Sequence, residues 1–319
     1  MGVIVDLYKK NFLRRFDREE GIPYYSAEDF PGLESDQGFF ENSDGVSVSY
    51  RYYYYEGYRR DMTVLFCHGL GPGHAAYLAE IETLCRAGLR VLTFDCTGCG
   101  ESGGERLPSA NAQTKDAVEL LGLLDPAEEI VPVGHSMGGY TALSLANILP
   151  SVKRAVVISA FLTVSDMMMG FVKVRFLANR IKRYEKKLDP RFGSNDNRAY
   201  IASTDDGILW IHSTDDPVVS FRHNAGVALK TGGPNVRVVT VEGKKHNPQY
   251  KREALDRMNE WIGGFNRLIG EGKLDTSEAK AAYFADKPIE MMTAQDPEIY
   301  RLILDFLLDP GGDEVSTGI

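Results

Sequence analysis

The sequence contains only four cysteines among 319 residues: Cys67, Cys85, Cys96 and Cys99. Four cysteines are too few to supply a disulfide framework for a chain of this length. Cys96 and Cys99 form a C-x-x-C pair, but a redox pair normally opens a helix, and a zinc site needs further ligands at a similar spacing. We therefore predict that these are small buried or loop side chains, and we expect neither a metal nor a cofactor.

The chain also lacks an excess of basic residues, because its formal net charge is −9. Binding to a phosphate backbone normally requires a concentrated basic face, so a nucleic-acid partner is not expected. No long apolar run is present near the start either, since Lys and Arg residues interrupt residues 1–20. A signal peptide and a membrane span both need such a run. We therefore expect a cytoplasmic protein without stable membrane insertion.

Short apolar segments alternate along the chain with segments of helical periodicity. A hairpin is predicted first, and six nearly continuous apolar runs of the kind found in buried parallel strands follow it. These segments are 37–42 and 46–56, then 62–67, 89–94, 129–133, 153–159, 207–212 and 236–241. Helical patterns lie between or after them at 75–87, 110–124, 136–149, 221–230 and 249–269. This alternation predicts the α/β class, with a mostly parallel central sheet covered by helices on both faces.

Two stretches fall outside the alternation. Residues 162–206 separate two predicted strands and are too long for an ordinary connection, so we interpret them as a helical cap inserted over one end of the sheet. Beyond Gly270, Asp296 and Pro297 mark the start of a further helix with an apolar stripe on one face. That stripe must be buried against the core or against a second copy of the chain, as in a homodimer.

The pattern G-x-S-x-G occurs twice, around Ser102 and around Ser136. A nucleophile elbow needs a strand leading into the serine, small residues around it and a helix leading away. Ser136 has all three features, because an apolar run precedes it and a helical pattern follows it. Ser102 lacks both flanks and is interpreted as a loop residue.

A serine hydroxyl becomes a good nucleophile only when a base takes its proton and an acid orients that base. Asp215 and Asp216 follow one predicted strand, and His246 follows the next. The carboxyl ends of parallel strands are where open α/β sheets build their sites. The order along the chain is therefore Ser, Asp, His, which is the order found in α/β hydrolases.

These residues lie within longer motifs, and through them the chain resembles the esterase, monoacylglycerol-lipase and serine-aminopeptidase-like branch of the α/β-hydrolase superfamily. The motifs are His68-Gly69-Leu70-Gly71, Asp95-x-x-Gly98-x-Gly100-x-Ser102, Gly134-His135-Ser136-Met137-Gly138-Gly139, Asp216-Pro217-Val218-Val219 and His246. The resemblance spans about residues 37–269. It implies an α/β-hydrolase fold with Ser136 as nucleophile, His246 as base and Asp216 as acid. It also implies that the backbone N–H groups of Leu70 and Met137 form the oxyanion hole.

The sequence departs from the family pattern H-G-x-x-D-x-x-V-P at two positions. Ser213 stands where Gly is usual, and Ser220 stands where Pro is usual. Counting from His212, the pattern selects Asp216, but the departures keep Asp215 open as the alternative.

The predicted organisation is an α/β-hydrolase core of residues 37–161 and 207–270. The cap spans 162–206, an N-terminal extension spans 1–36, and a C-terminal helical extension spans 271–319. Within the cap, Met167, Met168 and Phe171 could line an apolar acyl pocket, because methionine adapts to irregular ligands. The alternative is that these residues only pack the cap onto the core.

The main functional hypothesis is a serine hydrolase that cleaves a carboxylic ester through an acyl-enzyme, with a small-molecule ester or acyl compound as its substrate. The alternatives are a peptidase or amidase, a thioesterase and a non-catalytic binding module.

Overall fold

The structure is a computed structural model that describes residues 2–18, 24–124 and 129–309. Parts of both predicted extensions, residues 19–23 and 310–319, lie outside the described residues, as does Met1.

Eight strands form one sheet in the order β1-β2-β4-β3-β5-β6-β7-β8. They are β1 (Glu34–Glu41), β2 (Ser47–Tyr54), β3 (Met62–Cys67), β4 (Arg90–Phe94), β5 (Glu129–His135), β6 (Arg154–Ile158), β7 (Gly207–Ser213) and β8 (Val236–Val241). The β1–β2 and β2–β4 pairs are antiparallel, and every other neighbouring pair is parallel. All six residues of β3 are buried, which explains why this strand reads as a nearly continuous apolar run, with Thr63 as its one polar residue. The predicted α/β class with a mostly parallel sheet is confirmed.

Twelve α-helices occur among the described residues. They are α1 (Val3–Phe12), α2 (Leu78–Arg86), α3 (Ala112–Leu121), α4 (Met137–Ile148), α5 (Val164–Val172), α6 (Arg175–Leu188), α7 (Asn197–Ser203), α8 (Ala225–Thr231), α9 (Arg252–Gly270), α10 (Ser277–Ala285), α11 (Ile289–Met292) and α12 (Pro297–Leu308). None of the helices in the described ranges has the length and apolar character that a bilayer crossing requires.

The helices cover both faces of the sheet. Successive side chains of a strand point to opposite faces, so the contacts of β3 show which helices lie on each face. In β3, Leu65 and Cys67 pack into a core cluster with α1, α3 and α4. Val64 and Phe66 pack on the other face, in a cluster with α2 and α12. The N-terminal and C-terminal helices therefore cover opposite faces.

The edge strand β1 begins at Glu34, three residues before the predicted start of the core at residue 37. The prediction was wrong at this boundary because Glu34, Ser35 and Asp36 are polar and lack the pattern of a buried strand. Their backbone nevertheless pairs in register with residues 52–54 of β2, and pairing with a neighbour is what defines an edge strand.

The helix predicted after Asp296 is α12. The Asp296 carboxylate accepts hydrogen bonds from the N–H groups of Glu298 and Ile299, and Pro297 occupies the first helical position. Its apolar stripe includes Ile299, Ile303 and Leu307, which are buried in the same cluster as α2. The helix therefore buries its stripe against the core of its own chain.

Residues 162–206 form the three helices α5, α6 and α7 between β6 and β7. The N-terminal helix α1 contacts α6, the longest of the three. The inserted segment and the N-terminal helix therefore lie next to each other.

Candidate active site

The chain turns sharply between β5 and α4, at Ser136. Its backbone has φ 56° and ψ −115°, a conformation that non-glycine residues rarely adopt and that is concentrated at functional sites. A Cβ at Gly134 would overlap the backbone of Gly138, and a Cβ at Gly138 would overlap the carbonyl of Cys67. Glycine at these two positions therefore allows the strand and the helix to approach closely enough to hold Ser136 in this turn.

The structure brings together the three side chains that the sequence predicts as a triad. Ser136 Oγ lies 3.0 Å from His246 Nε2, and His246 Nδ1 lies 2.8 Å from Asp216 Oδ2. Asp216 and His246 lie in the loops that follow β7 and β8, at the carboxyl ends of two neighbouring parallel strands. Such a hydrogen-bonded chain can move a proton from a hydroxyl to an imidazole and stabilise the resulting cation.

Asp216 is held in place by four hydrogen-bonding groups. Its Oδ1 accepts the N–H groups of Val218 at 2.8 Å and Val219 at 2.9 Å. Its Oδ2 faces His246, and His212 Nε2 lies 3.4 Å away. Burial alone would raise the pKa of Asp216, but the hydrogen bonds from the two histidines hold that pKa well below its usual range. The carboxylate is therefore ionised at neutral pH.

The neighbouring carboxylate, Asp215, faces away from His246. It accepts a hydrogen bond from Ser213 Oγ at 2.6 Å and pairs with Lys245 Nζ at 2.9 Å. Burial opposes its ionisation, but these contacts lower its pKa to about 2. In this geometry Asp216 is the carboxylate that contacts the imidazole.

The tautomer of His212 follows from its partners. The indole N–H of Trp210 can only donate, and it lies 3.3 Å from His212 Nδ1. His212 Nδ1 is therefore the acceptor, and Nε2 carries the proton that points to Val219 O at 2.9 Å and to Asp216.

His135 supports the loop that carries His246. Its Nε2 lies 2.8 Å from the carbonyl oxygen of His246, and its Nδ1 lies 3.0 Å from the hydroxyl of Tyr77. The carbonyl must accept, so Nε2 is the protonated nitrogen and Nδ1 accepts from Tyr77. Burial, together with the charge of His246, lowers the pKa of His135 to about 3, so this ring stays neutral.

The two predicted oxyanion-hole residues, Leu70 and Met137, both line the cavity that contains Ser136. Met137 is the first residue of α4, so its N–H has no partner within the helix. The positive end of a helix dipole adds to the attraction for a developing anion there. Leu70 lies in the loop that follows β3, beside Gly69.

A cavity of about 300 Å³ opens over Ser136 and His246. Among the described residues that line it, none is Lys, Arg, Asp or Glu. Apolar side chains cover most of its wall, including Leu107, Phe161, Met167, Phe171, Val218 and Val219. The arrangement is a nucleophile at the base of an apolar pocket, which suits an uncharged or weakly polar group.

Comparison with known proteins identifies the fold. Residues 64–216 match the model of the alpha/beta hydrolase family. Together with the solved structures that follow, this match confirms the predicted α/β-hydrolase fold. A solved structure similar to this chain is the esterase Pf2001 of Pyrococcus furiosus, with a TM-score of 0.56 and 19% identity over 81% of this chain and 96% of that one. Another is the mouse alpha/beta hydrolase domain-containing protein 10, with a TM-score of 0.53 and 18% identity over 74% of this chain and 99% of that one.

Among curated relatives, a 2-hydroxy-6-oxononadienedioate/2-hydroxy-6-oxononatrienedioate hydrolase of Cupriavidus pinatubonensis is 38% identical over 92 residues. The match covers 26% of this chain and 30% of that protein, so it spans less than a third of the relative's length. These similarities establish the fold. The activity, and the bond that would be cleaved, are treated below as a proposal.

The lining of the cavity corrects one prediction. Met167 and Phe171 line the cavity, but Met168 does not, and its side chain is 3% exposed within the core. Residues four apart on a helix share a face, whereas the next residue along is rotated by about 100°. Met167 and Phe171 have the first relation in α5, and Met168 therefore packs elsewhere.

The pocket residues that sequence reasoning missed include three near the N-terminus: Tyr8 and Phe12 on α1, and Leu13 immediately after it. Tyr8 and Phe12 are four residues apart, which is a weak local signal of a shared face. Nothing in the sequence pattern indicated that this face would line the cavity, because the other lining residues lie more than fifty residues further along the chain.

A second missed feature is a cluster beside the candidate oxyanion loop. Among the described residues, His68, Cys96 and Cys99 are the group whose ligand atoms, within 4.8 Å of one another, could hold a metal ion. Both ring nitrogens of His68 are occupied, however, by Gly69 O at 2.7 Å and by the N–H of Cys96 at 3.2 Å. A hydrogen bond with Cys99 and burial raise the pKa of the Cys96 thiol well above its usual value, which disfavours the thiolate that a metal needs. The cluster fits a packing role, and both cysteines are buried as the sequence predicted.

Ser102, the serine of the other G-x-S-x-G pattern, is buried in a turn. Its hydroxyl donates to the carbonyl of Asp95 and accepts from the N–H of Ser49 at 2.8 Å. With both of these bonds made to backbone groups, this serine ties the turn to β2, in agreement with its interpretation as a loop residue.

Proposed function

We propose that this protein is a serine hydrolase that cleaves a carboxylic ester through an acyl-enzyme intermediate. The proposed substrate is an acyl ester, a lysolipid-type ester or a small aromatic ester. The observation that carries the proposal is the 3.0 Å approach of Ser136 Oγ to His246 Nε2 at the base of an apolar cavity.

The geometry supports the following reaction steps. His246 Nε2 accepts the Ser136 proton as Oγ attacks the carbonyl carbon, and Asp216 stabilises the imidazolium that forms. The N–H groups of Leu70 and Met137 receive the developing oxyanion, and one such donor typically contributes about 3 kcal/mol of transition-state stabilisation. The imidazolium then protonates the leaving alcohol, and a water molecule activated by His246 hydrolyses the acyl-enzyme.

Carbon–carbon bond hydrolysis is the second candidate, because the curated relative named above acts on a 2-hydroxy-6-oxo dicarboxylate. A dicarboxylate carries two negative charges, and burying them requires cationic partners. Among the described residues of the cavity wall there is no Lys or Arg. This lining favours an uncharged ester over a dianionic substrate. Peptidase, amidase and thioesterase activities use the same triad and remain alternatives.

Fluorophosphonate labelling tests whether the site is catalytic. We expect the wild-type protein to be labelled and Ser136→Ala not to be labelled, with the adduct mapped by mass spectrometry to the peptide containing Ser136. The peptide containing Ser102 is the internal control, because it carries the same G-x-S-x-G pattern. Absence of labelling in folded wild-type protein would favour a non-catalytic binding module.

Bond type is tested with matched substrates. We expect p-nitrophenyl esters to be hydrolysed faster than the corresponding p-nitroanilides, acyl thioesters and a 2-hydroxy-6-oxo dienedioate. A faster rate with any of these other substrates would assign the enzyme to that class instead.

A further inference from the structure

The N-terminal helix α1 contributes one wall of the cavity over Ser136. Tyr8 and Phe12, on one face of α1, and Leu13, immediately after it, all line the cavity. Met167 and Phe171 of α5 line the cavity as well, and the ring of Phe171 contacts that of Phe12. Two segments that are distant in sequence therefore close the same side of the pocket.

Aromatic rings join these two segments. The rings of Tyr8 and Phe12 stack with their centroids 5.4 Å apart, and the ring of Phe12 meets that of Phe171 edge to face at 5.2 Å. Phe171 is 47% exposed, so this row of rings runs from the buried part of the pocket to its mouth. Aromatic pairs at such distances attract each other beyond the area that they bury.

Buried hydrogen bonds fix α1 in this position. The Tyr8 hydroxyl donates to Glu185 Oε1 at 2.8 Å, and Glu185, on α6, is fully buried. The other oxygen of Glu185 accepts the N–H of Ala110 at 2.8 Å and lies 3.3 Å from Asn111 Nδ2. One carboxylate thus ties α1 to α6 and to the segment that leads into α3.

The chain just after α1 is tied down as well. Phe16 exchanges backbone hydrogen bonds of 2.9 Å with Gly98 and Gly100. The guanidinium of Arg15 donates to carbonyl oxygens of the same loop, including Gly104 O and Ser102 O. These contacts hold the N-terminal segment as a fixed part of the site.

We propose that α1 is a specificity-determining wall of the pocket and that Phe12, together with Phe171, limits the length of the acyl group that the pocket accepts. The inference rests on the proposed ester hydrolysis for its catalytic consequence, but it concerns binding and can be tested without turnover. Leu7 offers a matched control, because it belongs to the same helix, is 54% exposed and does not line the cavity.

The first experiment measures binding in the Ser136→Ala background. Straight-chain alkanols from butanol to dodecanol compete with the neutral fluorophore N-phenyl-1-naphthylamine. Adding Phe12→Ala should shift the chain length of the tightest-binding alkanol upward, whereas adding Leu7→Ala should leave it unchanged. An unchanged optimum in folded Phe12→Ala protein would overturn the proposal.

The second experiment measures kcat/KM on p-nitrophenyl esters from acetate to palmitate. Phe12→Ala and Phe171→Ala should each raise the ratio of long-chain to short-chain kcat/KM by about tenfold, because a change of one methylene in an apolar pocket can already alter rates to that extent. Phe12→Trp, which narrows the pocket, should shift the ratio in the opposite direction. It also keeps the proposal testable if Phe12→Ala does not fold, since an unchanged ratio in Phe12→Trp would overturn it.

The two experiments separate failure of this inference from failure of the proposed function. If the wild-type protein cleaves no ester but the alkanol optimum shifts in Phe12→Ala, the role of α1 in specificity is supported and ester hydrolysis is contradicted. If esters are cleaved and the chain-length profiles of Phe12→Ala and Leu7→Ala coincide, the role of α1 is contradicted and ester hydrolysis is supported.

Discussion

Replacing Asp216 by Asn tests the most specific feature of the site, the proton on His246 Nδ1. Asp216 Oδ1 accepts two backbone N–H groups, at 2.8 and 2.9 Å. An asparagine must therefore place its carbonyl oxygen there, because an NH₂ group cannot accept these bonds. Its NH₂ group then faces His246 Nδ1, which must become the acceptor.

The consequence is that the proton of His246 moves to Nε2, the nitrogen that lies 3.0 Å from Ser136 Oγ. A protonated Nε2 cannot take the serine proton. The same change in a serine protease triad lowers kcat by about 10⁴-fold, which corresponds to about 5 kcal/mol of transition-state stabilisation. We expect a loss of this order in Asp216→Asn.

Asp215→Asn is the matched control, because Asp215 contacts Ser213 and Lys245 and does not contact His246. Its partner Lys245 is 61% exposed, and exposed ion pairs contribute at most about 1 kcal/mol. We therefore expect Asp215→Asn to lose less than about tenfold in rate.

Both variants are assayed by ester turnover and by the rate of fluorophosphonate labelling, which does not depend on knowing the natural substrate. Circular dichroism and thermal unfolding establish that each variant is folded. The reasoning would be refuted if folded Asp216→Asn kept more than a tenth of the wild-type rate, or if Asp215→Asn lost as much as Asp216→Asn.

Three further predictions concern the supports of the site. Tyr77→Phe removes the hydroxyl that donates to His135 Nδ1, so kcat should fall by about tenfold at unchanged KM, and an unchanged kcat would contradict this positioning role. Burial raises the pKa of Glu185 from 4.5 to about 7, so its contribution to stability is complete below about pH 4.5 and is lost as the pH rises through 7. In urea unfolding, the free energy of unfolding of Glu185→Gln relative to wild type should therefore increase by about 2 kcal/mol from pH 5 to pH 8, and a decrease would contradict the sign. A Cβ at Gly138 would overlap a carbonyl oxygen of β3, whereas a Cβ at Gly71 would meet open space. Gly138→Ala should therefore lower the melting temperature by about 5 °C or more, and Gly71→Ala by less than about 2 °C. Equal shifts in the two variants would contradict the packing argument.

Much of the fold could be predicted because its signals are local. The bounds of β3 and β8 agree with the runs at 62–67 and 236–241, since both strands consist mainly of apolar residues, with Thr63, Arg237 and Thr240 as the polar exceptions. The start of α12 was predicted from Asp296 and Pro297, whose capping roles depend only on the next few residues. The limits of the edge strand β1 could not be predicted in this way, because they depend on the partner strand β2.

In the candidate site, too, the residues with local sequence signals were predicted and the others were not. Ser136, Asp216 and His246 were predicted because each follows a strand, and parallel strands bring their carboxyl ends to one edge of the sheet. The choice between Asp215 and Asp216 needed distances, because two adjacent carboxylates in a turn can point in different directions. Tyr77 and His135, which support the His246 loop, carry no local sign of that contact.

The sequence alone determined the parallel strands, the glycines of the serine turn and the order of the three polar side chains, because each depends on neighbouring residues or on the regular geometry of a parallel sheet. Only the tertiary structure decided that α1 lines the cavity with Phe12, that Met167 faces the cavity and Met168 does not, and that α12 is buried in its own chain. These features depend on which distant surfaces meet. The hydrophobic effect that drives such contacts is non-directional, so an apolar stripe shows that a face will be buried without specifying its partner.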